Sequence, residues 1–592
     1  MKRKLLSVLL TFCLAFSLLP TAALADGEGT PALAEVSAAA GTALPAAVDG
    51  VITLDNGAYV MSGDTTATIK VPNGKNATLD LNGKTLTNKT GEHTIIVENG
   101  ATLTITGNGI VDNVSHGKAA VYNEGTVTLA GGTFKRSVEK GTYSPYSGNG
   151  NSWYTIANYG TMEINTGVTV ENAGGYSSMI RNGSDRVTAN CYLTIKGGNF
   201  TGGVNTVKND SFGVLTINGG NFSNTAQYVI MNWNKAEITA GTFQTLDTAS
   251  AVLFTSAYGG DANTVGKLTI SGGEFKHASD TQEMIVDHYD ASNSGTAAVT
   301  GGKFDADISK YISTDYVQSA DGTVEKLGET NAVAKVGGTY YKTLADAVAA
   351  AQDGDTITLL KDAELTSTLN LAKNITIDGQ GKYTIKAANS FTVGSDNKTY
   401  CVLYVSGEVT LKDVTVNGNE KCRVIFCDKG KLTIDGATIT NGRASNFIGG
   451  VYMTSSASFE MKSGSITGNK NAKGYQNDEY LQYSSDLWIG ANANGALTAI
   501  NGGTIGNVFV NANAWSASNP GSFTMNGGTV TNLYVEHDAN YGATFKYNDG
   551  TIEHLYLSKE NGNGQSIEVT PVKGVIYNGG VKEQDLVTLT MK

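Results

Sequence analysis

The stretch Leu193-Thr194-Ile195-Lys196-Gly197-Gly198-Asn199-Phe200 returns as Leu215-Thr216-Ile217-Asn218-Gly219-Gly220-Asn221-Phe222. It returns again, at nearly the same interval, as Ile238-Thr239-Ala240-Gly241-Thr242-Phe243. Further copies read Gly131-Gly132-Thr133-Phe134, Gly272-Gly273-Glu274-Phe275 and Gly301-Gly302-Lys303-Phe304. Later ones replace Phe with a β-branched residue, as in Gly502-Gly503-Thr504-Ile505 and Gly527-Gly528-Thr529-Val530. Each tetrad follows a short segment alternating with period 2, which excludes helical repeats. A repeat of this length built from strands and Gly turns is a solenoid. No Leu-x-x-Leu-x-Leu frame recurs with an asparagine ladder, so the leucine-rich repeat is set aside. What remains is an all-β parallel β-helix, whose coils hydrogen-bond to one another and stack inward apolar residues in columns. The Gly-Gly pair turns the corner and the following Phe or Ile re-enters the core. The interval from Phe134 to Phe200 equals three coils of the Phe200-to-Phe222 length, but Met162-Glu163-Ile164 marks only one intermediate coil, so the Tyr/Trp-rich loop is expected to replace most of one coil.

Composition agrees. Of 592 residues, 40% are hydrophobic, enough for a continuous core, and 73 are Gly against only 7 Pro. The Gly residues lack a three-residue period, which excludes collagen. Lys2-Arg3-Lys4, the apolar run 5–19 and Ala23-Leu24-Ala25 read as a signal peptide over 1–25. Its removal leaves 39 Lys+Arg against 54 Asp+Glu. An acidic exported chain is a poor partner for nucleic acid or anionic membranes. No later apolar run reaches the length of a membrane span, and no wall-sorting signal is read. Cys191, Cys401, Cys422 and Cys427 are too sparse for a disulfide scaffold, and buried free thiols are expected.

The chain reads as duplicated. Ala77-Thr78-Leu79-Asp80-Leu81-Asn82-Gly83-Lys84 echoes Ile375-Thr376-Ile377-Asp378-Gly379-Gln380-Gly381-Lys382. Before the second copy, Thr343-Leu344-Ala345-Asp346 forms a capping box for a helix over 343–352, which would plug an open solenoid end. The expected organisation is an Ala-rich segment 26–45, a β-helix over 46–308, a connection over 309–339 and a second β-helix over 340–592. Within the latter, one common offset aligns Tyr404 with Cys427 and Val416 with Ile439.

Thr343-Leu344-Ala345-Asp346-Ala347-Val348 through Gly354-Asp355-Thr356-Ile357-Thr358-Leu359 resembles the N-terminal cap and first coil of pectin-lyase-like right-handed parallel β-helices. The Gly-Gly-Thr-Phe and Gly-Gly-Asn-Phe coils resemble those of repetitive surface proteins of gut Gram-positive bacteria. The resemblance implies the fold and leaves two functions open, because the fold carries lyases, hydrolases and adhesins alike. One is a secreted or cell-surface, adhesin-like protein whose partner is an extracellular glycan or a host or bacterial surface. The other is a polysaccharide-degrading lyase or glycoside hydrolase.

Hydrolysis needs two carboxylates roughly 5–9.5 Å apart, and a lyase a base with Ca²⁺ held by acids. The Asn-Thr-Asp, Asp-Asp, Gly-His-Asp and Arg-Ile-Lys signature of the family's galacturonases is absent from the sequence. The nearest fragments, Asp287-His288-Tyr289-Asp290, Glu536-His537-Asp538 and Gln476-Asn477-Asp478-Glu479, read as solvated loops. No catalytic residue, metal ligand or cofactor is therefore assigned. The binding reading rests on rings in polar loops: Tyr143, Tyr146, Trp153 and Tyr154 in one, Trp515 in another. Rings beside Asn and Ser suit a pyranose, whose face stacks while its hydroxyls are hydrogen-bonded.

Overall fold

The computed structural model describes residues 41–115, 117–136, 153–172, 177–224, 226–246, 250–257, 265–279, 282–444, 448–454, 456–471, 484–491, 493–512, 520–536 and 543–558. It also gives the backbone of strands Ser566–Glu568 and Ile576–Asn578. The fold is a parallel β-helix. Each early coil contributes three strands, as in Thr102–Thr106, Ile110–Asp112 and Val121–Asn123. The first two join a 17-stranded sheet and the third a 10-stranded sheet, with parallel pairing from coil to coil. Two further long sheets, of 11 and 14 strands, begin with strands Ala334–Val336 and Ala363–Leu365 and carry the remainder.

Alternation sets the core. In Thr102–Thr106 the Leu103 and Ile105 side chains point inward and are fully buried, while the threonines face out. Val127 and Leu129 stack on them one coil later, followed by Met162 and Ile164.

The Gly-Gly-x-Phe tetrads form the corner between first and second strands. From Gly213–Asn224 onward the two strands run through the corner without a break, and the ladder register slips between Ile217 and Asn221. The two glycines are needed for different reasons. A Cβ on Gly219 would meet the Lys196 carbonyl oxygen of the coil beneath at 2.7 Å. Gly220 has φ +110, and a Cβ there would also press on the Phe222 and Phe200 rings. The freed space holds a column of parallel rings. Phe200, Phe222, Phe243, Phe275 and Phe304 stack with centroid separations of 4.6, 4.8, 4.8 and 4.5 Å.

The register places one intermediate coil between Phe134 and Phe200. Phe134 pairs with Val170 and Val170 with Phe200, so two coils span the interval, each enlarged at its turns. Strand Val168–Asn172 re-enters the core with Val170 in place of Phe, which hides it from a Gly-Gly-x-Phe search.

The duplicated turns are built alike. Asn82 and Gln380 both have positive φ, and their amides donate to Asp80 and Asp378, each at 2.8 Å. Helix Leu344–Ala350 buries Leu344, Ala347 and Val348 against the second core. Thr343 Oγ1 accepts from the Asp346 amide at 3.1 Å and donates to its carboxylate at 2.7 Å. The helix stops before 352 because Ala351 is extended and Asp355 accepts from the Gln352 amide at 2.7 Å. Between the two sets of sheets, Ile312 bridges to Val299 and the hairpin Tyr316–Gln318/Val324–Lys326 folds back, with Thr323 bridging to Lys303.

Val416 does lie under Ile439, but Tyr404 pairs with Phe426, and Cys427 lies on Val405. One extra residue is taken up in the turn Asp428-Lys429-Gly430, where Gly430 has φ +70, before Glu408 pairs with Lys431. All four described cysteines are free and buried, and burial pushes the Cys401, Cys422 and Cys427 thiols up to about 12.

Candidate functional site

Five successive third strands of the first set of coils, from Val121–Asn123 to Tyr228–Asn232, end in a buried asparagine. Asn123, Asn158, Asn182, Asn209 and Asn232 lie one above the next. Each side-chain amide donates to the carbonyl oxygen of the next side chain, at 2.7, 2.7, 2.8 and 2.8 Å, and Asn232 donates to Thr255 at 3.1 Å. The ladder also satisfies turn carbonyls: Asn209 donates to Gly213 and Lys235 at 3.0 and 2.9 Å. An asparagine ladder thus exists in this β-helix, although the sequence pattern sets it aside together with the leucine-rich repeat.

The residue after each of these positions forms a neighbouring column. Main-chain bonds from Glu124, Tyr159, Gly183, Asp210, Trp233 and Ser256 to the coil before fix their order. A parallel outward row comes from the strands themselves: Tyr122, Ala157, Arg181, Lys208, Met231 and Phe254.

These two columns gather one cluster. His93 stacks on Tyr122 at 4.6 Å, and Tyr122 lies 5.4 Å from Tyr159. The Arg181 guanidinium lies over the Tyr159 and Tyr154 rings at 5.9 and 5.3 Å. Trp153 meets Tyr154 edge-on at 5.5 Å. Asp210 takes Arg181 at 2.8 Å and Lys208 at 3.0 Å, and Arg181 also donates to Ser184 at 3.0 Å. Burial pushes the Asp210 carboxyl up, but Lys208 and Arg181 outweigh it and hold it below its ordinary value. Burial also raises the Tyr122 and Tyr159 hydroxyls, keeping them neutral donors.

The expected site residues divide. Trp153 and Tyr154 lie in this cluster, where buried Arg136 donates to the Trp153 carbonyl and, at 3.1 Å, to that of Ser115. Tyr143, Tyr146 and Trp515 fall outside the described residues. Tyr122, Tyr159, Arg181, Lys208 and Asp210 were missed, although the recurring strand-Asn signal at Asn123, Asn158 and Asn182 marks their positions.

His93 gives the cluster a pH signature. Burial first, then Lys118 and Arg136, lower its imidazole from 6.5 to about 4, and Nδ1 accepts from the Ala119 amide at 2.8 Å. Between these values the folded chain binds fewer protons than the unfolded chain, so stability falls as pH drops from 6.5 to 4. Allowing for solvent screening, His93 accounts for about 1–2 kcal/mol of that loss. Urea titrations of wild type and His93→Asn at pH 7 and 4.5 should show a smaller drop in the variant.

The described acids of these fragments have partners. Asp287 holds His288 at 3.0 Å and Lys310 at 2.8 Å, and both lower its carboxyl against the opposing effect of burial. Glu536 accepts from Asn511 at 2.5 Å and from the Ala512 amide at 2.9 Å. His537, Asp538 and the 476–479 fragment lie outside the described residues. On the second solenoid face, Glu460 binds Lys431 at 2.6 Å, which lowers its carboxyl. Burial pushes the Asp486 carboxyl up, as a general acid needs, but it is 2% exposed and accepts from Asn469, Asn507 and Ser485. Among the described residues, no three His, Cys, Asp or Glu side chains are placed to hold a metal ion, and no helix is long and apolar enough to cross a membrane.

No family model matches the chain, and no curated protein does. Among solved structures, the chain is similar to a mutant of a PL6 family alginate lyase, at 12% identity over 87% of each chain with a TM-score of 0.19.

Proposed function

We propose that this chain is exported through its N-terminal signal and serves as a secreted or cell-surface, adhesin-like protein. Its two tandem β-helices, 46–308 and 340–592, act as a rigid rod that displays a non-catalytic carbohydrate-binding face. One observation carries this reading: Tyr154 and Tyr159 pack on Arg181, with Trp153 against Tyr154 and Tyr122 beside Tyr159, next to Asp210 and Lys208. Rings offer faces for a sugar, and the ion cluster offers donors and acceptors for hydroxyls. The scaffold fixes them in advance, which lowers the ordering cost of binding.

Each ring contributes on the order of 1 kcal/mol, so a single site is weak and display in many copies supplies avidity. Trp153→Ala/Tyr154→Ala should weaken glycan-array and cell binding by roughly tenfold or more while leaving the far-UV spectrum unchanged. Retention of no glycan or cell by the wild type, or equal binding by the variant, refutes the assignment. The same preparation should release neither reducing ends nor unsaturated uronates from polysaccharides. Such release would favour the lyase or hydrolase alternative.

A further inference from the structure

We infer that the binding face takes a long, neutral, linear polysaccharide that lies along the rod and touches two separate aromatic platforms. This rests on the carbohydrate-binding reading above. The first platform is the Trp153–Tyr154–Tyr159 group. The second stands on the same face: Tyr228 stacks on Phe254 at 4.7 Å, Trp233 meets Phe254 at 5.0 Å, and Tyr289 lies 6.0 Å from Trp233. Trp233 is 7% exposed, but Tyr289 is 64% exposed, on the short hairpin His288–Asp290/Asn293–Ser294. The exposed Tyr289 ring rests beside buried Trp233, which in turn packs on Phe254, so the group offers an aromatic face at the surface.

The coil repeat sets the spacing. Tyr159, Gly183, Asp210 and Trp233 occupy one column in order, so the two platforms lie three coils apart, about 14 Å at one strand spacing per coil. Between them the column falls away at Gly183, which has no side chain. The neighbouring row continues through Lys208 and Met231. A disaccharide covers one platform; a hexasaccharide reaches both.

The charge selects a neutral chain. Arg181 and Lys208 face Asp210 and Asp185, at 2.8, 3.0 and 3.7 Å, so two cations and two carboxylates offset each other. Without the signal segment the chain carries 39 Lys+Arg against 54 Asp+Glu, an acidic balance that repels polyanions. A ligand with hydroxyls and no charge meets rings at both ends and paired polar groups between them.

The test is calorimetry with disaccharides and hexasaccharides of β-1,4-linked glucan, xylan and mannan, and with hexagalacturonate as the charged control. The wild type should bind a neutral hexasaccharide about tenfold more tightly than its disaccharide. Tyr289→Ala should bring the hexasaccharide to about the disaccharide affinity and leave the disaccharide unchanged, Tyr289→Phe should retain the gain, and Trp153→Ala should weaken both lengths. Equal affinity for the two lengths, or a Tyr289→Ala variant with the full gain, overturns the two-platform inference while leaving the first site intact. Preference for hexagalacturonate overturns the neutral class. Binding of no saccharide at all refutes the carbohydrate reading itself and this inference with it.

Discussion

Replacing Phe243 with Ala is expected to cost about 3–5 kcal/mol, among the largest effects of any single substitution in the chain. Its ring is fully buried between Phe222 and Phe275, 4.8 Å from each, so truncation opens a cavity and removes two stacking partners together. The main chain on both sides is held in parallel ladders, which limits how far the site can collapse. Solenoid coils contact only their neighbours, so the damage should concentrate locally. Hydrogen exchange should accelerate in strands Gly213–Asn224, Lys235–Thr245 and Lys267–Lys276, with little change in the second set of sheets. Phe243→Leu should recover more than half of the loss. An effect below about 1 kcal/mol in urea unfolding would show that the column is not a principal stabilising element.

Asn209→Ala should be comparably severe, at about 3–5 kcal/mol, for a different reason. Its amide serves Asn232, Gly213 and Lys235, and its side-chain oxygen accepts from Asn182. Alanine removes all four of these hydrogen bonds at a fully buried position and interrupts the ladder between Asn182 and Asn232. Asn209→Asp should be no milder, because a carboxylate cannot donate to the two main-chain carbonyls and would be charged in the interior. The ladder also positions Asp210 and, one coil earlier, Gly183. Asn209→Ala should therefore weaken glycan binding through misplaced Arg181 and Lys208, although Asn209 faces the core. Melting temperature and binding by the same preparation check both expectations. A variant as stable as wild type would show that the ladder is dispensable.

Particular residues show where the sequence was sufficient. Strand alternation and the Gly-Gly-x-Phe tetrads are local properties. Leu215 and Ile217 must point one way, Gly220 must adopt positive φ, and Phe222 must follow it inward, whatever happens elsewhere in the chain. The capping box at Thr343 is equally local. These features determined the parallel β-helix, its phenylalanine column and the helix before the second set of sheets. Trp153 and Tyr154 were legible as rings out of place in a polar loop.

The coil register was decided only by tertiary structure. Tyr122, Tyr159, Arg181 and Asp210 form one cluster, yet they are scattered over three different coil lengths. Coils of different length keep the same ladder register, so sequence separation stops measuring distance along the rod. The strand-Asn signal recurs at Asn123, Asn158 and Asn182, but without fixed spacing or a shared tetrad it does not show that these residues stack. Alternation fixes which side of a strand a residue faces. Which residues become neighbours depends on how many residues each turn absorbs before the next coil hydrogen-bonds to the last, and parallel pairing at about 4.8 Å then brings them together.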